Sequence, residues 1–171
     1  MQDILDFTLY YNRYKKKLFN YTLRMTGNRM ATEDILQTTF MRFYLNMGNI
    51  RHGVAIEFWL FKAIRNEIYT WFKSKKRLSD NYLSEDISEL SIEAEVTADS
   101  QLIESEKKEI VLKAINSLPS EQKEVILLKE FSGLSYDEIS EVCGIDTGLV
   151  KSRLYSARQK LIAQLSNKIN M

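Results

Sequence analysis

The chain has 171 residues, room for one ordinary domain or two small ones, and 44% hydrophobic content is enough for a core. One Cys143 and one His52 exclude an intramolecular disulfide framework and a Cys/His metal cluster, and there is no run of 18 apolar residues to span a membrane. The net charge of +1 conceals three blocks: +8 over residues 1–77, −9 over residues 78–106, which hold no Lys or Arg, and +2 over residues 107–171.

Six glycines and one proline are few helix breakers for this length, so the chain reads as all-α. Met1-Gln2-Asp3 does not open a signal peptide. A first helix is predicted over residues 4–25, where Leu5, Leu9, Tyr14, Leu18, Tyr21 and Met25 keep a largely helical period and Gly27 supplies the C-terminal residue. A second spans residues 31–45, with Ile35, Leu36, Phe40, Phe43 and Tyr44 on one wide apolar face, and Asn46-Met47-Gly48-Asn49 breaks it. A third runs from about residue 56 to about residue 75, where Phe58, Phe61, Ile64, Ile68, Trp71 and Phe72 recur at threes and fours. Fifteen of the 19 aromatic residues lie in residues 1–77, so this module holds the bulky core material, with rings to spare for a surface that stacks on bases. Trp59 and Trp71 are read as core rather than as such platforms.

Residues 78–106 are dominated by Ser, Asp and Glu, with too little apolar surface to offset the entropy of ordering, which predicts a flexible acidic linker. It reads as a solvated tether or as a segment that folds against the basic first module and suppresses DNA binding. A helix resumes near residue 100, with Leu102, Ile103, Ile110, Val111, Ala114 and Ile115 facing inward. Pro119 sits one place inside the next helix, residues 119–130, which buries Val125, Ile126 and Leu128 before Gly133 closes it. Ser135-Tyr136-Asp137-Glu138 is a capping box opening a short helix that ends near Cys143, itself read as a small buried hydrophobe. Gly144-Ile145-Asp146 forms a turn, with Asp146 as N-cap of a last helix over residues 147–165.

Two helices joined by a short Gly-containing turn make a helix-turn-helix, with Ile139, Val142, Ile145, Val150, Leu154 and Leu161 as its inner positions. The opposite face of the last helix carries Lys151, Ser152, Tyr155, Ser156 and Gln159, flanked by Arg153 and Arg158. Such a face can enter a DNA major groove and offer base edges donors, acceptors and a ring, or it can be the solvated side of an ordinary helical hairpin.

Several strings carry a more specific likeness. Leu118-Pro119-Ser120-Glu121-Gln122-Lys123-Glu124-Val125, Gly133-Leu134-Ser135-Tyr136-Asp137-Glu138-Ile139 and Val150-Lys151-Ser152-Arg153-Leu154-Tyr155-Ser156-Ala157-Arg158 resemble region 4 of bacterial extracytoplasmic-function (ECF) sigma factors. Ala31-Thr32-Glu33-Asp34-Ile35-Leu36-Gln37-Thr38-Thr39-Phe40 resembles region 2.2 of that family, and Phe58-Trp59-Leu60-Phe61-Lys62-Ala63-Ile64-Arg65-Asn66 the start of its region 2.4. The resemblance implies two small helical domains: region 2 over residues 1–77, an acidic linker over residues 78–106 and region 4 over residues 107–171. It implies a subunit that binds core RNA polymerase and directs it to promoters, not an enzyme, with no cofactor, metal or small-molecule substrate.

Carried over residue by residue, the resemblance places Asp34, Gln37, Phe40 and Met41 against the polymerase, whose β′ clamp helices and β flap are the expected docking sites. It places Asn49, Arg51, Arg65, Asn66, Tyr69, Lys73, Lys76 and Arg77 at the −10 element, where melted DNA needs cations for phosphates and amides for an unstacked base. The cations of residues 73–77 also suit a helix C-terminus. The loop of residues 46–56 is poor in aromatics, which predicts weak melting and a strict demand for promoter sequence. Lys151, Ser152, Arg153, Tyr155, Ser156 and Arg158 fall at the −35 element; Arg153 and Arg158 are either phosphate clamps or helix-stabilising residues. Many relatives carry Arg where this chain has Ser156, which puts its −35 sequence in doubt. The family's linker threads the polymerase cleft, and an anti-sigma factor, often membrane-bound, is an expected partner, so the chain is expected in the cytoplasm, free or held at the inner membrane through that partner, without inserting in it. The main rival is a stand-alone helix-turn-helix regulator binding a palindromic operator as a dimer. The basic, aromatic-rich first module argues against it. An enzyme is disfavoured because no Gly-rich phosphate loop appears and one His cannot form a relay.

Overall fold

The computed structural model describes residues 1–50, 53–81 and 102–169, which form helices and turns with no strand among them. The chain divides into two compact units, Met1–Leu90 with Glu141–Gly144, and Ser91–Ser140 with Ile145–Met171.

Three helices make the first unit: α1 (Gln2–Thr26), α2 (Arg29–Asn46) and α3 (Gly53–Asn81), with a 3₁₀ turn at Met47–Asn49. The Gly27 N–H donates to the Leu23 carbonyl and closes α1, and the Asn28 side chain then accepts from the Ala31 N–H at 2.9 Å and opens α2. The three helices pack on one another around Leu18, Phe43, Leu60, Phe61, Ile64 and Ile68, all fully buried. Each such side chain contributes about 1.5–3 kcal/mol of transfer free energy, so Leu18→Ala is an unfolding-scale change for this unit. Two ion pairs tie α3 to its neighbours: Lys17 with Glu57 at 2.5 Å, and Arg42 with Glu67.

The third helix exceeds its predicted end. It continues to Asn81, so the cations of residues 73–77 lie inside it and none falls in its last turn. The dipole explanation for that run therefore fails, since the effect fades within the terminal turn. Tyr44, predicted on the apolar inner face of α2, is 46% exposed.

The second unit consists of α4 (Leu102–Asn116), α5 (Ser120–Ile126) continuing into a π turn at Leu127–Phe131, the start of α6 (Tyr136–Cys143), whose residues from Glu141 on count with the first unit, and α7 (Thr147–Ile169). Helix α7 packs on α4 and α5 around Ile115, Val125, Leu128, Val150, Leu154 and Ala157. Pro119 is the N-cap of α5 rather than its first helical residue; its carbonyl accepts from the Gln122 and Lys123 N–H groups at 3.0 and 2.9 Å. Ile145 and Leu161, predicted as inner positions, are only half-buried. Of the predicted linker, residues 78–81 end α3 and residues 102–106 begin α4. Residues 82–101 lie outside the described part of the chain.

Candidate functional site

The helix-turn-helix is set by local hydrogen bonds. Ser135 and Glu138 form the expected capping box, with the Glu138 N–H donating to Ser135 Oγ at 3.1 Å and the Ser135 N–H to Glu138 Oε2 at 2.7 Å. Gly144 takes the turn at φ +66°, a left-handed conformation that costs any L side chain about 1–2 kcal/mol. The Ser140 hydroxyl donates to the Ile145 carbonyl, and Asp146 Oδ1 accepts from the Leu149 N–H at 2.8 Å. A Cβ at Gly148 would meet that carboxylate at 3.0 Å, so a glycine there leaves the N-cap its room.

These bonds orient α7. Val150, Leu154 and Ala157 are buried, while Lys151, Ser152 and Tyr155 are exposed, Tyr155 at 67%; Ser156 is half-buried. The two arginines are engaged within the unit. Arg153 reaches Glu121 at 3.2 Å with its side chain 19% exposed, a tie from α7 to α5. Arg158 donates to Glu130 Oε1 at 2.6 Å, and that bond is the main reason its guanidinium is held above its usual range, with a smaller contribution from the nearby Tyr136.

Tyr136 gathers more charge than this. Lys129 Nζ lies 4.7 Å and Lys151 Nζ 5.7 Å from its ring centroid. Lys129 and Lys151 thus meet over one ring with Arg158 nearby, itself bound to the Glu130 carboxylate, a gathering of cations suited to a phosphate. Sequence reasoning missed Lys129 and Tyr136. The tyrosine was legible only as the second residue of a capping box. Lys129 reaches it across the π turn and the bend after it, a path with no sequence period.

In the first unit, α3 carries the predicted −10 residues. Asn66, Lys73, Lys76 and Arg77 are exposed, Arg65 and Tyr69 half-buried, and the Arg65 guanidinium lies 4.4 Å over the Tyr69 ring. Asn49 is exposed in the 3₁₀ turn, and Arg51 and His52 lie outside the described residues. Trp59 is half-buried with its ring 5.9 Å from that of Phe43, while Trp71 is half-buried beside Phe72 with Lys75 Nζ 5.0 Å away.

The predicted polymerase-facing residues lie along α2. Asp34, Gln37 and Met41 are exposed, but Phe40 is only 3% exposed and presents no surface of its own. It is instead the floor of a groove of about 660 Å³ between α1 and α2, walled by Phe7, Tyr11, Leu36, Met41 and Leu45. Aromatic contacts build that floor: Phe40 meets Phe7 edge-on at 6.3 Å and Tyr11 at 4.8 Å. Among the described residues no group of His, Cys, Asp and Glu could hold a metal, and no helix is long and apolar enough to cross a membrane.

Comparison with known proteins supplies the context for this geometry. Residues 10–78 match the family described as Sigma-70 region 2, and residues 108–161 match Sigma-70, region 4. The ECF RNA polymerase sigma factor SigW of Bacillus subtilis is 31% identical over 160 residues, covering 89% of this chain and 84% of its own. The ECF RNA polymerase sigma-E factor of Haemophilus influenzae is 28% identical over 169 residues, covering 95% of this chain and 87% of its own. A solved complex of the sigma factor RpoE with the anti-sigma factor NepR from Bartonella quintana matches with TM-score 0.75 and 26% identity, over 94% of this chain and 97% of that one.

Proposed function

The chain belongs to the ECF RNA polymerase sigma factors, and on that premise we propose how its two units divide promoter recognition. A sigma factor is a non-enzymatic initiation factor that binds core RNA polymerase and directs it to specific promoters. In this one, α7 reads the −35 element in the major groove, with Lys151, Ser152 and Tyr155 at base edges and Ser156 beside them. Lys129, Tyr136 and Arg158 hold an adjacent phosphate, and Arg153 acts by positioning α7 on α5. The observation that carries this reading is the exposed polar face of α7 outside a turn fixed by Asp146 and Ser140, with three cations converging next to it.

The first unit takes the −10 element. Asn66, Arg65 and Tyr69, with Asn49, Arg51 and His52 of the preceding loop, read the unstacked base, and Lys73, Lys76 and Arg77 hold the strand's phosphates. Asp34, Gln37 and Met41 meet the β′ clamp helices, with the Phe40-floored groove receiving one apolar side chain of the partner, and the second unit meets the β flap. An anti-sigma factor covers these surfaces when the protein is held inactive, as supported by the RpoE relative, solved bound to NepR. The chain works in the cytoplasm, where polymerase and chromosome are, and a membrane-bound inhibitor would hold it at the inner membrane.

The test is transcription by core polymerase on genomic fragments with and without the chain. Start sites that need both components, with two shared upstream elements, are the expected result. Specific duplex binding by the chain alone, with core polymerase unaffected, would instead favour a stand-alone regulator.

A further inference from the structure

Helix α1 has an ordered outer face besides its core face. Leu5, Leu9, Asn12, Lys16, Phe19 and Leu23 follow one another at alternating spacings of four and three, so they form one stripe, about 27 Å long at the rise of an α-helix. Tyr14, Leu18, Tyr21 and Met25 hold the opposite, buried side. Leu5 is 59% and Leu9 68% exposed, with Ile4 beside them at 58%, while Phe19 and Leu23 are half-buried. Three neighbouring aliphatic side chains this open to water make an apolar patch without cover.

The middle of the stripe is cationic. Arg13, Lys15 and Lys16 are exposed and make no ion pair among the described residues, whereas Lys17, turned toward α3, is held by Glu57. Lys15 donates to Asn12 Oδ1 at 3.3 Å, an exposed bond that a phosphate oxygen can replace. The two carboxylates of the helix lie off this face: Asp3 shares by spacing the side of Tyr10, Tyr14 and Tyr21, and Asp6 is half-buried at the edge. Aliphatic side chains at one end, a ring and a leucine at the other and three cations between them thus share the convex side of a single helix. Nucleic acid has no use for the leucines, and a protein helix docks in a groove, which a convex face lacks. An anionic lipid leaflet fits both parts, its acyl boundary taking the aliphatic side chains and its phosphates the cations.

We propose that the outer face of α1 is a peripheral membrane contact, which lies in the interface of an anionic leaflet with Ile4, Leu5 and Leu9 at the acyl boundary and Arg13, Lys15 and Lys16 at headgroup phosphates. The helix lies on the bilayer and is not apolar enough to cross it. A few aliphatic side chains and three cations give a reversible contact, which concentrates the protein at the leaflet and still releases it to polymerase.

The experiment floats the full chain with vesicles rich in phosphatidylglycerol and with vesicles of phosphatidylcholine alone, at about 0.15 M salt. The unaltered chain is expected to bind the anionic vesicles and not the zwitterionic ones. Lys15→Gln with Lys16→Gln should weaken that binding about 25-fold, at roughly fivefold per cation. Leu5→Gln with Leu9→Gln should weaken it about tenfold, and Leu9→Trp, which supplies an interfacial ring, should tighten it. Lys107→Gln with Lys108→Gln removes the same charge from exposed positions of α4 and is expected to leave vesicle binding unchanged. Start sites made with core polymerase should be the same for all these α1 variants as for the unaltered chain. No binding to anionic vesicles, equal loss in the α1 and α4 lysine variants, or full vesicle binding by the glutamine variants of Leu5 and Leu9 would each overturn the membrane contact. Loss of polymerase-dependent start sites in those variants, with vesicle binding kept, would overturn it too and make the face a protein contact.

Discussion

Glu130 offers a test of the phosphate site in which a gain is expected. Its carboxylate lies 2.6 Å from the Arg158 guanidinium, with the two side chains 50% and 42% exposed. A pair this open to water is screened and contributes only about 0.2–1 kcal/mol to stability, so Glu130→Gln should barely move the unfolding midpoint. Its effect on DNA should be larger, because the substitution removes the carboxylate that holds Arg158 beside Lys129 and Lys151. If Arg158 then makes one further phosphate contact, the slope of log K against log salt steepens by about 0.9. Between about 200 and 50 mM salt that amounts to roughly a 3.5-fold larger gain in affinity than the unaltered chain shows. The assay is a salt titration of holoenzyme binding to a promoter duplex, with melting curves run in parallel. An unchanged slope, or weaker binding at every salt concentration with the fold intact, would refute the phosphate role and leave Arg158 as a structural tie.

The capping box predicts that Ser135→Ala destabilises the second unit by about 1 kcal/mol, visible as a lower urea midpoint, and an unmoved midpoint would mean the two bonds are dispensable. Burial alone lowers the Lys123 ammonium from its ordinary 10.5, so the unfolded chain keeps that proton where the folded one has released it, and stability rises with pH in the window just below 10.5. Lys123→Met should abolish that rise and raise the neutral-pH melting temperature by about a few degrees; parallel urea midpoints at about pH 7 and pH 10 in both proteins would contradict it. On α2, Gln37→Ala with Met41→Ala should weaken core polymerase binding about tenfold and leave stability unchanged, since both side chains are exposed; full affinity would remove this face of α2 from the polymerase interface.

What the sequence made legible was mostly local. Asp146 as an N-cap, the Ser135–Glu138 box and the break after Asn46 are each set by a few adjacent residues, and all are found. The end of α3 was underestimated because its apolar period stops at Phe72, whereas lysines and arginines are good helix formers that carry the helix on without one. The wide apolar face of α2 could not be divided from sequence. The placement of α1 and α3 decides that Phe40 and Phe43 are covered while Met41, Tyr44 and Leu45 are left outside. The Tyr136 cluster was illegible for a related reason, since its members meet through a π turn whose position no helical pattern announces.

The two units handle their charges in opposite ways. In the first, the carboxylates Glu57 and Glu67 of α3 are tied to cations of other helices, and among the described residues Lys62, Lys73 and Lys76 pair with no carboxylate. In the second, the carboxylates Glu121 and Glu130 are spent on the very arginines that flank the recognition face. Uncompensated cations bind phosphate by counterion release and lose affinity steeply with salt, whereas an arginine already held by a carboxylate adds less to that slope. Single-strand capture by α3 should therefore be the salt-sensitive step and −35 recognition by α7 the more tolerant one. Rising salt would then block promoter opening before it releases the protein from the duplex.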